Sequence, residues 1–156
     1  MGHRLFCVRY TSNMSIWQGE PTLADLRHIQ RESMAAFLGI DFIEIGADHL
    51  RGTMPVDQRT RQPFGILHGG ASVVLAETLA STAAFLCIDR ERFMSVGQEI
   101  NANHLRSVKS GLVTGVTRPF HIGRRTQVWG IEITDELGRL TCVARITMAI
   151  VERTRS

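Results

Sequence analysis

Apolar and polar positions fall into two rhythms along this chain. Leu23, Leu26, Ile29 and Phe37 recur at helical spacing behind Thr22-x-x-Asp25, a pattern whose side chains satisfy the free N–H groups of a first turn. With Gly39 as the stop, this predicts one helix over about 23–37. Ile40 to Ile45 and His49 to Val56 are β-rich and flank Gly46-Ala47-Asp48, which predicts a hairpin. The segment 57–70 is rich in glycine and reads as a loop. From Ser72 to Cys87 neither glycine nor proline occurs, so a second helix is expected over about 70–87. It is apolar on nearly every side, the mark of a helix that other structure encloses. Four strand-like segments follow, at about 94–105, 112–120, 125–134 and 139–151, separated by turns such as Lys109-Ser110-Gly111 and Asp135-Glu136-Leu137-Gly138. In the last, Leu140, Cys142, Ala144, Ile146, Met148 and Ile150 alternate against Thr141, Arg145 and Thr147. Consecutive strands without intervening helices must pair antiparallel. The expected class is α+β, with a curved antiparallel sheet wrapped around the central helix.

Composition narrows the function classes. A chain of 156 residues with 44% hydrophobic and 21% charged residues has room for one domain, expected over 16–152. Residues 1–15 carry Arg4 and Arg9 but no acid and no apolar run, and are expected to be a disordered extension, with Met14 as an alternative start of translation. The net charge of +3 is scattered, which argues against nucleic acid and suits a small anionic ligand held by a few arginines. Cys7, Cys87 and Cys142 make no CxxC pair and no even framework, so a reducing, cytoplasmic setting is expected. The longest apolar stretch, Ala71 to Ile88, is broken by Ser72, Glu77, Thr78, Ser81 and Thr82, and no membrane partner is expected.

Candidate chemistry centres on Glu77. A carboxylate in the middle of so apolar a helix must find donors, shift its pKa or face a watery cleft; the plainer alternative is a narrow solvent-facing stripe. Just upstream, Gln62-Pro63-Phe64-Gly65-Ile66-Leu67-His68-Gly69-Gly70 ends where the helix begins. Its last N–H groups are unpaired and lie at the positive end of the helix dipole, a natural oxyanion site, although Gly69-Gly70 would equally serve as an ordinary turn. Glu77 lies nine residues beyond His68, roughly 13 Å at 1.5 Å per helical residue. If both act on one carbonyl, two antiparallel copies of the helix must meet, and the site lies between subunits. Arg106, Lys109, Arg124 and Arg125 offer cations at strand ends, His104 has no metal-spaced partner, and no metal site or cofactor is expected. No G-x-S-x-G elbow is present, and Ser72 falls inside the helix start, so serine is not the expected nucleophile.

QPFGILHGGASVVLAETLAS and QEINANHLRSVKSG resemble the signature segments of the hotdog-fold acyl-CoA thioesterases, the family that includes 1,4-dihydroxy-2-naphthoyl-CoA thioesterase and the enterobactin proofreading thioesterase. The resemblance runs from about Ile16 to Val151. It implies a hotdog fold and acyl-CoA (aryl- or hydroxyaryl-CoA) as substrate; with the separation of His68 and Glu77, a homodimer, paired again into a tetramer, is expected. By resemblance Glu77 is the catalytic carboxylate, Gly69 the backbone donor to the thioester carbonyl, Gln62 and His68 the groups that place the thioester, and Ser81 a helper of the water. It also implies substrate contacts at Gly97, at His104, Leu105, Arg106 and Ser107, and at His121, Ile122, Gly123 and Arg124. The basic Arg124-Arg125 pair departs from the pattern of these relatives. Glu77 would act as a nucleophile or as a general base on water. Two other readings are a non-catalytic acyl-CoA-binding module and a hydratase, the latter needing a His–carboxylate pair.

Overall fold

The computed structural model describes residues 15–153; all of the expected extension but Ser15, Cys7 included, lies outside them. Thr22 opens α1 (Leu23–Ile29): its Oγ1 accepts from the Asp25 N–H at 3.2 Å, and its own N–H donates to Asp25 Oδ2 at 2.9 Å, the reciprocal cap read from the sequence. The expected single helix over 23–37 is two. Glu32 takes a left-handed φ of 58°, and Ser33 caps a separate α2 (Met34–Phe37). Residues 30–33 are Gln-Arg-Glu-Ser, so no apolar contact holds a helix through them, while Ser33 offers a new N-cap.

The hairpin is β1 (Asp41–Ile45) and β2 (Leu50–Pro55), closed where the His49 imidazole lies so close over Gly46 that a Cβ there would overlap it. The long helix, α3 (Gly69–Leu86), is followed by β3 (Phe93–His104), β4 (Leu112–Ile122), β5 (Thr126–Asp135) and β6 (Leu140–Glu152). All pair antiparallel in one six-stranded sheet of order β1-β2-β4-β5-β6-β3, curved around α3: an α+β hotdog architecture. In β6 the alternation holds, with Cys142, Ala144, Ile146, Met148 and Ile150 buried.

Why the sheet can close on the helix is visible in side-chain size. The buried positions of α3 are mostly Ala71, Ala76, Ala80, Ala83 and Ala84, and one of its buried leucines, Leu79, fits against two strand glycines. A Cβ at Gly52 or Gly115 would stand 2.7 or 2.6 Å from the Leu79 methyls. Burying such a leucine contributes roughly 1.5–3 kcal/mol. Trp129, fully buried on β5, stacks at 6.3 Å on Trp17, whose Nε1 donates to the Gly46 carbonyl at 2.7 Å. By length and mean hydropathy (1.4) α3 would suffice to cross a membrane, but its apolar side is the core of this sheet. The enclosure is incomplete: Val73, Val74, Glu77, Thr78, Ser81, Thr82 and Phe85 form a stripe the sheet leaves partly or fully uncovered. That stripe lies on the side of β3, the long edge strand.

Candidate active site

The loop before α3 is pinned from several directions. Buried Thr60 donates its hydroxyl to the Pro55 carbonyl at 2.7 Å, the His68 N–H donates back to the Thr60 carbonyl at 2.8 Å, and the Leu67 N–H donates to Val108 O at 2.8 Å. Gly65, at φ 76°, turns the chain so that the Gln62 N–H reaches the Ile66 carbonyl at 2.9 Å. His68 then caps α3, its Nδ1 accepting from the Gly70 N–H at 2.8 Å. This occupies the Nδ1 lone pair and places the proton of the neutral ring on Nε2.

Between them, the Gly69 N–H has no hydrogen-bond partner among the described residues. It sits at the first position of an eighteen-residue helix, where the backbone dipoles favour negative charge. Glycine is dictated here by a neighbour: a Cβ would stand 2.8 Å from Nε2 of His104, at the end of β3. A pocket of about 290 Å³ opens at this point, lined by Gln62, Gly69, His104, Leu105, Arg106 and Ser107 among others. All six line one pocket although His104 follows Gly69 by 35 residues in the chain, and the antiparallel run of β3 beside α3 is what joins them.

Glu77 is elsewhere. It is exposed on the uncovered stripe, with its carboxylate 3.4 Å from where a Gly97 Cβ would be. Eight residues of unbroken helix separate it from Gly69, roughly 12 Å. Ala80 and Ala84, three and seven residues further along the helix, point into the core. Of the two readings of this carboxylate, the single chain shows the solvent-facing one. Ser81, one turn on, donates to the Thr78 carbonyl at 3.4 Å.

A third location holds His121, Gly123 and Arg124, which with Arg125 line a cleft of about 1020 Å³ at the far end of α3, while Ile122 lines an adjoining cavity. The Gly123 N–H closes the β4–β5 turn on the Thr126 carbonyl at 3.0 Å. The expected residues thus form three groups rather than one. Lys109, grouped in the sequence with Arg106, faces a separate depression beside Asp135 and Glu136. Sequence reasoning passed over Ser72 and Thr141, both buried in the wall of the Gly69 pocket, because one reads as helix and the other as the polar phase of a strand. Arg92, in the wall of the far cleft, was hidden in the charged turn Asp89-Arg90-Glu91-Arg92. Among the described residues no group of three or more His, Cys, Asp or Glu side chains is placed to hold a metal ion. Burial pushes the Cys87 thiol up to about 12, which removes it as a nucleophile at neutral pH.

Comparison with known proteins places this geometry in context. Residues 64–142 match the family described as the thioesterase superfamily. The chain is 55% identical over 136 residues to a 1,4-dihydroxy-2-naphthoyl-CoA hydrolase of Escherichia coli, spanning 87% of this chain and 99% of that one. It is 47% identical over 136 residues to the proofreading thioesterase EntH of Cronobacter turicensis, spanning 87% and 98%. Among solved structures, a glutamine-to-alanine variant of a Pseudomonas aeruginosa thioesterase superposes with a TM-score of 0.88 at 49% identity, covering 89% of this chain and all of that one.

Proposed function

Since the chain belongs to the thioesterase superfamily and is an enzyme of the thioester-hydrolase class, we propose that it cleaves an acyl-CoA, of the aryl or hydroxyaryl kind, to free acid and CoA. The observation that carries this reading is the unpartnered Gly69 N–H at the positive end of α3, inside a pocket whose size and polar wall admit a thioester. A carbonyl oxygen seated on that N–H gains its strongest hydrogen bond as it becomes an oxyanion, which lowers the barrier selectively. Gln62 and the Nε2–H of His68 position the thioester. Glu77 supplies the other half: its carboxylate either attacks the carbonyl carbon, expelling CoA thiolate and leaving an anhydride that water then opens, or takes a proton from the attacking water, with Ser81 beside it.

The roughly 12 Å between Gly69 and Glu77 supports a site shared by two copies. Gly69 abuts His104 and Glu77 abuts Gly97, both on β3, whose free edge points away from the sheet. Antiparallel pairing of two β3 strands centred between Ile100 and Asn101 sets Gly97 opposite the partner subunit's His104. Glu77 then meets the partner subunit's Gly69. We infer a homodimer on this ground. A cytoplasmic setting fits Cys87 and Cys142 both being free thiols.

Steady-state hydrolysis across aryl, short-chain and long-chain CoA thioesters, with Glu77→Gln alongside, tests the reading. Glu77→Gln is expected to lower kcat by roughly 10²–10⁴-fold, the span a positioned acid–base group contributes. Near-normal turnover in the folded variant would remove Glu77 from the mechanism, and tight binding without turnover by the unaltered protein would make it a binding module.

A further inference from the structure

The buried side of α3 is built from alanine and leucine with a single polar exception, Ser72, which is 3% exposed. Packing does not call for a hydroxyl there. Alanine fills the neighbouring buried positions Ala71 and Ala76, and serine differs from it by one oxygen. A serine inside a helix commonly turns that oxygen back to the carbonyl four residues earlier. Here that carbonyl belongs to His68 and already accepts from the Ala71 N–H at 3.0 Å and from the Ser72 N–H at 3.3 Å. The Ser72 Oγ itself has no hydrogen-bond partner among the described residues, a state that calls for an explanation in so buried a side chain.

The explanation lies in where the oxygen opens. Unlike the sealed Nε2 atoms of Gln30 and Gln127, it keeps a sliver of exposure, and the space it meets is the pocket beside Gly69. The other buried hydroxyl in that wall is spent: Thr141 donates to the Ile133 carbonyl at 3.0 Å. Ser72 therefore offers the pocket an unengaged buried group that both donates and accepts. It stands three residues after Gly69, hence on the same side of the helix, with roughly 5–6 Å between positions so spaced. Ile66 and Leu67 supply apolar surface around the two polar points.

We propose that Ser72 is a specificity residue, whose hydroxyl hydrogen-bonds a hydroxyl carried by the acyl ring on the carbon next to the one bearing the thioester. Two polar points one helical turn apart on the same side match two oxygens on one edge of a flat ring. With the carbonyl oxygen on the Gly69 N–H, an ortho hydroxyl meets Ser72, whereas a para hydroxyl lies at the opposite end of the ring. An acyl group without the hydroxyl leaves Ser72 shut in and unpaired, and a site that hydrogen-bonds a substrate hydroxyl discriminates against the analogue lacking it. The proposal rests on the thioesterase reading and adds to it the chemistry by which the acyl group is chosen.

Hydrolysis of 2-hydroxybenzoyl-CoA, 4-hydroxybenzoyl-CoA and benzoyl-CoA by the unaltered protein and by Ser72→Ala tests it. The variant is expected to lower kcat/KM for the 2-hydroxy thioester about tenfold relative to benzoyl-CoA, the loss typical of one hydrogen bond. Comparing the two proteins cancels the different reactivities of the thioesters. Ser72→Cys, with a weak donor of similar shape, should fall between, and it carries the test if Ser72→Ala does not fold. An unchanged ratio, whether all three thioesters slow together or none does, would overturn the role of Ser72. An equal relative loss for the 4-hydroxy thioester would overturn the ortho placement. If the unaltered protein hydrolyses none of the three, the thioesterase reading fails, and calorimetric titration with the same thioesters decides Ser72 separately. A tenfold loss of affinity in Ser72→Ala confined to 2-hydroxybenzoyl-CoA would leave the contact standing; any other pattern, including no binding, would overturn it.

Discussion

The two edges of the sheet are built differently. At one edge β1 is five residues long, is bulged between Phe42 and Glu44, and is fastened by ion pairs from Arg27 to Asp41 at 2.8 Å and from Arg51 to Glu44 at 2.8 Å. At the other, β3 runs for twelve residues, exposes Met94 and Val96, and has one loose pair, Arg145 to Glu99 at 3.7 Å. Short, charge-studded edges are finished ones, while a long exposed edge, even one bulged as β3 is between Gly97 and Glu99, is a template for another strand. The uncovered stripe of α3, with Glu77 on it, lies along the unfinished side. The chain closes its own fold at β1, and on the reading proposed above the chemistry is completed across β3.

That contrast can be broken at three depths. Gly69→Ala attacks the site on the open side most severely, because the new methyl meets His104 at 2.8 Å beside the free N–H; a loss of about 10²-fold in kcat/KM is expected, the size of a missing oxyanion donor, with the melting temperature little changed. Equal activity would show that His104 gives way to the methyl and that the thioester's approach to this N–H does not depend on glycine. Val96→Lys places a charge on the exposed edge that a twofold pairing presents twice; sedimentation should show monomers, with activity down about tenfold or more at micromolar protein. An active Val96→Lys dimer would move the interface off β3. The smallest effect belongs to the closed edge. Hydrogen bonds from Arg51 and then His49 hold the Glu44 carboxyl below its usual range, so its stabilisation is present at neutral pH and fades as pH falls through the lowered folded-state value. Glu44→Gln should flatten that acid slope in melting temperature slightly and leave oligomeric state untouched.

How far the sequence reaches follows from what each feature depends on. The start of α1, the hairpin, the limits of α3 and the phase of β6 are local matters of capping, turn residues and periodicity, and they were legible to within a residue or two. The break at Glu32 was not, because apolar spacing on either side, up to Phe37, imitates one helix while the polar residues between make no core contact. The pocket around Gly69 was readable in its two segments but not in their meeting, which depends on β3 lying antiparallel to α3. Glu77 shows a limit of another kind. Apolar neighbours in sequence suggested burial, yet the sheet covers only part of the helix, and a single chain leaves this carboxylate in water. Arg92 reaches the far cleft through tertiary contacts alone, from within a charged turn.

The central claim is that hydrolysis uses Glu77 of one subunit and the Gly69 turn of the other. Mixing Glu77→Gln with Gly69→Ala, after confirmed subunit exchange, tests it directly, since each mixed dimer then holds one site in which both features are intact. Activity should return to roughly a quarter of the unaltered protein's in an equal, randomly exchanged mixture, while neither variant mixed with itself recovers any. An exchanged mixture that stays at the level of the separate variants would contradict the shared site and require Glu77 and Gly69 to act within one chain.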